Sequence, residues 1–172
     1  MWLFLASVLI SLVHKVALGL GLGAATLALM LFVTGSSEDP LQKRFMGMTV
    51  YVLRIALALT IAVQLIFLSS VPKAQLGFVL REPVFLLNTL IVVVLLAAAL
   101  AVVWRKIPDW LVAVLSGSSW YALFLLNTWP TPIPLTTGEL TVVYAGFLLV
   151  FSGVIMALRK RFIPVLTIEP TP

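Results

Sequence analysis

An all-α integral membrane bundle is the fold class this sequence predicts, and three observations predict it. Of the 172 residues, 62% are hydrophobic and only 10% are charged, against roughly 45–50% and 25% in a soluble domain. The mean hydropathy is +1.19. The apolar residues fall into five runs of crossing length, which at about 20 residues each leave only short connectors. These features exclude an ordinary cytosolic enzyme, a disordered chain and, with no cysteine, a disulfide-stapled scaffold. Thiolate metal sites and Fe–S ligation fall away for the same reason. The whole chain, 1–172, is read as one transmembrane domain of five helices.

The first apolar run, residues 2–33, is broken only by His14 and Lys15. It lacks the basic leader and cleavage site of a signal peptide. As one helix it would be about 48 Å long, against roughly 30 Å of hydrocarbon. Either the helix tilts strongly, or residues 1–12 project and lie along the interface or against a partner; the crossing is placed at about 13–33. That placement puts His14 and Lys15 near one membrane face, because a lysine at mid-bilayer costs several kcal/mol.

The remaining spans are expected at about 48–71, 83–104, 109–128 and 139–158. Gly35, Ser36, Ser37, Glu38, Asp39 and Pro40 form the first loop. Pro72 closes the second span, and Pro83 opens the third at a position that tolerates a missing N–H. The short turn Arg105, Lys106, Ile107 and Pro108 makes spans three and four antiparallel neighbours. Trp104, Trp110 and Trp129 mark span ends, as an aromatic belt would. Pro130, Pro132 and Pro134 predict an extended connector. The tail from Arg159 to Pro172 is basic and then proline-rich.

Orientation follows from the basic residues. The formal net charge is +5, and its cations sit beside apolar spans, where they meet anionic headgroups rather than nucleic acid. Lys43, Arg44, Arg105, Lys106, Arg159, Lys160 and Arg161 share one side, whereas Lys73 and Arg81 share the other. The positive-inside rule then places the N-terminus outside and the C-terminus in the cytoplasm.

Few polar side chains interrupt the spans. Gly19 and Gly23 form a small-xxx-small face that admits another helix, within the bundle or between protomers, or leaves room for a flat cofactor. Arg54 lies about two turns into span two; it either snorkels to the headgroups or pairs with Asp109, Glu38 or Asp39. His14, Lys15, Gln64, Asn88, Asn127 and Glu139 all fall in the outer half and together predict a polar pocket open to the outside. The alternative is that Asn88, Asn127 and Glu139 simply end helices in the wet interface. His14 is the single histidine. It can serve as a metal ligand or an axial haem ligand, but bis-histidine haem needs a second chain and a three-histidine zinc site cannot form. Met46 and Met48 are soft ligands suited to Cu(I), placed at the opposite end from His14. Ser116, Gly117, Ser118 and Ser119, followed by Trp120 and Tyr121, predict a packed helix junction. No nucleophile elbow, Walker loop, dinucleotide fingerprint or HExxH pair is present, so no enzymatic activity is expected.

Three stretches together resemble a known family: His14 to Thr26 with its glycine-rich face, Leu41 to Phe45 leading into span two, and Pro83 to Pro108 ending in a basic turn. This layout resembles the copper-resistance D-like membrane proteins and related uncharacterised bacterial membrane proteins, over about two thirds of the chain. The resemblance implies a helical bundle associated with copper handling or haem binding, with His14 as the one ligand that carries over. Asn88 stands near the place where that family has a lysine or histidine.

Two functions remain open on the sequence. The favoured expectation is a non-catalytic structural or accessory subunit in a bacterial inner membrane, packing against other membrane proteins or a second copy of itself. The alternative is a copper-resistance-like protein binding metal or haem around His14. A transporter reading lacks matching halves and broken helices.

Overall fold

The computed structural model describes residues 2–34, 40–104, 108–129 and 134–166, with the side chains of 2–6, 103, 104, 109 and 163–166 outside the description. The loop at 35–39, the basic turn at 105–107, Pro130, Pro132 and the end of the tail lie outside the described residues.

The described residues form six helices: α1 (Trp2–Thr34), α2 (Pro40–Ser70), α3 (Lys73–Val79), α4 (Pro83–Trp104), α5 (Asp109–Thr128) and α6 (Thr137–Leu166). All but α3 are long and apolar enough to cross a membrane. In hydrocarbon every peptide group must be paired within the protein, which for such runs means a helix. Hydroxyls inside these helices obey the same constraint. Thr26, Thr49, Thr60, Thr89, Ser118 and Ser152 each donate to the carbonyl four residues earlier, at 2.6 to 2.9 Å. A polar residue is thereby carried in an apolar span without an orphaned group.

The bounds of α4 and α5 coincide with the expected spans, because a proline opens or precedes each of them. Pro83 begins α4, and Pro108 caps α5, where its carbonyl accepts from the amides of Leu111 and Val112. The other three long helices outrun their expected crossings. α1 is continuous from Trp2, at about 50 Å, so residues 2–12 extend the crossing helix rather than turning away from it. α6 carries Arg159, Lys160 and Arg161 in its last turns rather than in a tail, since these are good helix formers and cations suit a helix C-terminus. α3 is an addition to the expectation. It starts at Pro72, whose carbonyl accepts from Gln75 and Leu76, it buries none of its residues, and it exposes Phe78 at 81%.

α1 packs along α2, α5 and α6, while α5 packs along α4, α1 and α6; α4 also meets α2 and α6. Trp120 is the largest fully buried side chain and belongs to an apolar cluster that includes Leu18 and Ala25 of α1, Leu87 and Ile91 of α4 and Tyr144 of α6. A second apolar cluster joins Leu29, Val33, Val114 and Ile155. At that end the Arg159 guanidinium lies 4.3 Å from the ring centroid of Phe32, in cation–π range.

Candidate functional site at the His14 end

α5 ends one residue after Asn127, and that asparagine joins three helices. Its Nδ2 donates to the Leu123 carbonyl at 2.8 Å and to Asn88 Oδ1 on α4 at 3.1 Å. A backbone carbonyl can only accept, so the bond to Leu123 fixes which end of the amide is nitrogen. The opposite atom, Asn127 Oδ1, faces His14 Nε2 on α1 at 3.1 Å. Because this oxygen also only accepts, His14 carries a proton on Nε2. In the neutral ring Nδ1 is then a bare lone pair. That Nδ1 is buried and no described residue bonds to it.

Gln64 belongs to the same level of the bundle. The rings of Phe67 on α2 and Phe85 on α4 lie 6.3 Å apart, and one turn further in along each helix stand Gln64 and Asn88. The Gln64 Nε2 is likewise buried, with no bonding partner among the described residues. One end of the bundle thus holds a satisfied chain, Asn88–Asn127–His14, together with an orphaned acceptor and an orphaned donor. Buried polar atoms of this kind are uncommon, and each calls for a reason. Nδ1 can accept a proton or a hydrogen bond, or ligate a metal ion.

Of the six polar residues expected at this end, His14, Asn88 and Asn127 are hydrogen-bonded together and Gln64 shares their depth. Lys15 points elsewhere, onto a shallow groove with Ser7, Val8, Ser11 and Leu12 along the outside of α1. Glu139 is occupied in starting α6. Its Oε2 accepts from the backbone N–H and the hydroxyl of Thr136, both at 2.8 Å, and the Thr136 hydroxyl accepts from the Glu139 amide at 3.4 Å. This is a capping box. A Thr three residues before the Glu is a signal present in the sequence.

The glycine face also resolves into two opposite sides. A Cβ at Gly21 would overlap the six-membered ring of Trp120, and one at Gly117 would come within 2.6 Å of Leu29. These two glycines serve the internal packing of α1 against α5. Gly19 and Gly23 are exposed, with nothing within 4 Å of an added Cβ, so the small-xxx-small face points away from the bundle. Two hydroxyl pairs involve the residues on either side of Trp120, the half-buried Thr26 with Tyr121 and the buried Ser119 with Tyr144, both at 2.8 Å. No spacing in the sequence marks them as pairs, although Ser119 falls in the junction expected to pack.

Arg54 is exposed on α2, and no described residue bonds to it. Glu38, Asp39 and the Asp109 side chain, its expected partners, lie outside the description. Met48 is exposed to the surroundings. Among the described residues no three of His, Asp and Glu gather as a metal cage. Comparison with family models, with curated proteins and with solved structures returns no match.

Proposed function

We propose that this chain is a non-catalytic accessory subunit of a bacterial inner-membrane assembly, oriented with its N-terminus outside and its C-terminus in the cytoplasm. The observation that carries the reading is the outward face of Gly19 and Gly23. Glycine costs helix stability, and neither of these glycines repays that cost inside the bundle. A smooth strip of this kind is the surface along which a second transmembrane helix approaches closely. The orientation rests on Lys43, Arg44, Arg159, Lys160 and Arg161, which stand at the Phe32 end, against Lys73 and Arg81 at the His14 end.

Native mass spectrometry of protein extracted in mild detergent tests this. Higher-order species are expected for the native chain and are lost in Gly19→Leu and Gly23→Leu, with thermal stability of the bundle unchanged. A monomer alone in both cases overturns the reading. Reporter fusions after Leu166 are expected to be active only in the cytoplasm; periplasmic activity overturns the orientation.

The unpartnered Nδ1 of His14 favours a second reading, a metal or haem ligand at the outer end, in keeping with the copper-resistance D-like resemblance. The chain offers one imidazole nitrogen there among neutral amides, which fits a single axial ligand or a ligand set shared with another chain. A Soret band or stoichiometric copper in the membrane-purified protein, lost on His14→Ala, is the expected signature. A colourless, metal-free protein from native membranes overturns it.

A further inference from the structure

We infer that the end of α1 at Phe32 is a binding site for an acidic phospholipid, built from two copies of one tripeptide. Lys-Arg-Phe occurs at 43–45 and again at 160–162, near the start of α2 and near the end of α6. In each case the residue just before the tripeptide touches the last turns of α1. Gln42 Nε2 donates to the Leu31 carbonyl at 2.8 Å, and the Arg159 guanidinium lies over the Phe32 ring. Two segments far apart in sequence are thus held against consecutive residues of one helix. Lys43, Arg44, Phe45, Lys160, Arg161 and Phe162 are all exposed there, each phenylalanine at 45%.

The level of these groups fits the headgroup layer of a bilayer. α1, α2 and α6 are each long and apolar enough to cross a membrane, and the apolar span of α1 ends at Thr34. α2 leaves this face and α6 arrives at it. Lys43 and Arg44 therefore stand up to about 3 Å inward of Gln42, and Lys160 and Arg161 up to about 3 Å outward of Arg159. Four cations fall in a layer about 6 Å thick, from which long side chains reach lipid phosphates by snorkelling. Lys and Arg hold a phosphodiester through charge-assisted hydrogen bonds. The exposed phenyl ring beside each pair adds apolar contact for the glycerol and acyl chains. That combination suits an amphiphile rather than a soluble anion.

The chain's own carboxylates do not cancel this charge. With Glu38, Asp39, Asp109 and Glu169 all counted against them, the five cations at 43, 44 and 159–161 remain in excess. Orientation alone requires only that cations be numerous on one side. It requires neither their gathering about one helix end nor a phenylalanine after each pair, whereas basic clusters between crossing helices are what hold acidic headgroups. The inference is independent of the accessory-subunit reading, which stands or falls with Gly19 and Gly23.

Native mass spectrometry of the delipidated full-length chain, titrated with phosphatidylglycerol or with phosphatidylcholine of the same acyl chains, tests this. Phosphatidylglycerol is expected to bind saturably and more tightly than phosphatidylcholine. Replacing Lys43 and Arg44 together by Gln is expected to weaken it about thirtyfold, at about fivefold per cation. Replacing Lys160 and Arg161 together is expected to do the same. The pair Lys73→Gln and Arg81→Gln, at the opposite end, is expected to leave it unchanged. Phosphatidylglycerol with a photoreactive headgroup needs no variant; its adducts on the native chain are expected within residues 41–45 and 158–162. Equal affinity for the two lipids, or displacement of the lipid by inorganic phosphate at equal concentration, overturns the inference. So do adducts spread evenly over both ends of the bundle, or an equal loss in the Lys73 and Arg81 variant. Unchanged thermal stability of each variant in detergent is the folding control.

Discussion

Trp120 occupies the space in which a side chain on Gly21 would stand. The indole is fully buried within the main apolar cluster, so it has little room to swing aside for even a methyl group. Gly21→Ala is therefore expected to destabilise the bundle by about 1–3 kcal/mol, the usual cost of overpacking. Gly19→Ala, two residues away on the open side, is expected to cost nothing. Unfolding in mixed detergent micelles, followed by tryptophan fluorescence, measures both. Equal effects at the two positions would contradict this packing.

The bond between His14 and Asn127 should be measurable as a coupling. A double-mutant cycle with His14→Phe and Asn127→Leu is expected to return about 0.6 kcal/mol, with an upper limit near 1.7 kcal/mol for an intramembrane hydrogen bond. Nitrogen NMR of labelled histidine at neutral pH should show Nε2 protonated and Nδ1 bare. In Asn127→Leu that preference is expected to relax toward a tautomer mixture. The opposite tautomer in the native chain would contradict donation from His14 Nε2 to Asn127 Oδ1.

Ser119 and Tyr144 are both buried and bond to each other. Removing one hydroxyl strands the other, so Ser119→Ala or Tyr144→Phe alone is expected to cost about 1–3 kcal/mol. The double replacement is expected to cost less than the sum, because no orphan remains. Chemical denaturation of the three variants decides this, and strict additivity would rule the pairing out.

The start of α6 offers a local test. Thr136→Ala removes one side of the capping box and is expected to cost about 1 kcal/mol. The loss should show as faster hydrogen exchange at the amides of Gly138 and Glu139, with the far end of α6 unaffected. Glu139→Gln keeps an acceptor for the Thr136 amide and should exchange more slowly than Glu139→Ala.

How far the sequence could be read depended on what each feature requires. Helix ends marked by proline, as at Pro83 and Pro108, were legible to the residue. Helix ends marked only by loss of hydropathy were not, because a helix persists where lipid stops: nothing among residues 2–12 or at Arg159 to Arg161 breaks one. α3 escaped because a short connector holding Pro72, Gly77 and Pro83 carries no periodic apolar signal. The depth of His14, Asn88 and Asn127 was readable by counting along the spans. Which side of each helix they occupy was not, since spans that are apolar all round give no internal direction. The same limit explains Gly19 and Gly23. Glycines at alternate positions lie on opposite faces, and only the position of Trp120, a hundred residues away, determines which face is inside.

α5 is the least apolar of the crossing helices, with a mean hydropathy of 1.4 over its span against 2.2 to 2.8 in the others. It also holds Ser119, bonded to α6, Tyr121, bonded to α1, and Asn127, bonded to both α1 and α4. During synthesis α1 and α4 emerge before it and α6 after it. When α5 enters the bilayer, Thr26, His14 and Asn88 are already there to receive it, but Ser119 must wait for Tyr144. Biogenesis of this protein thus has a built-in order. The helix least able to partition into lipid on its own is retained by neighbours that have arrived, and the last helix made is the one that closes it in.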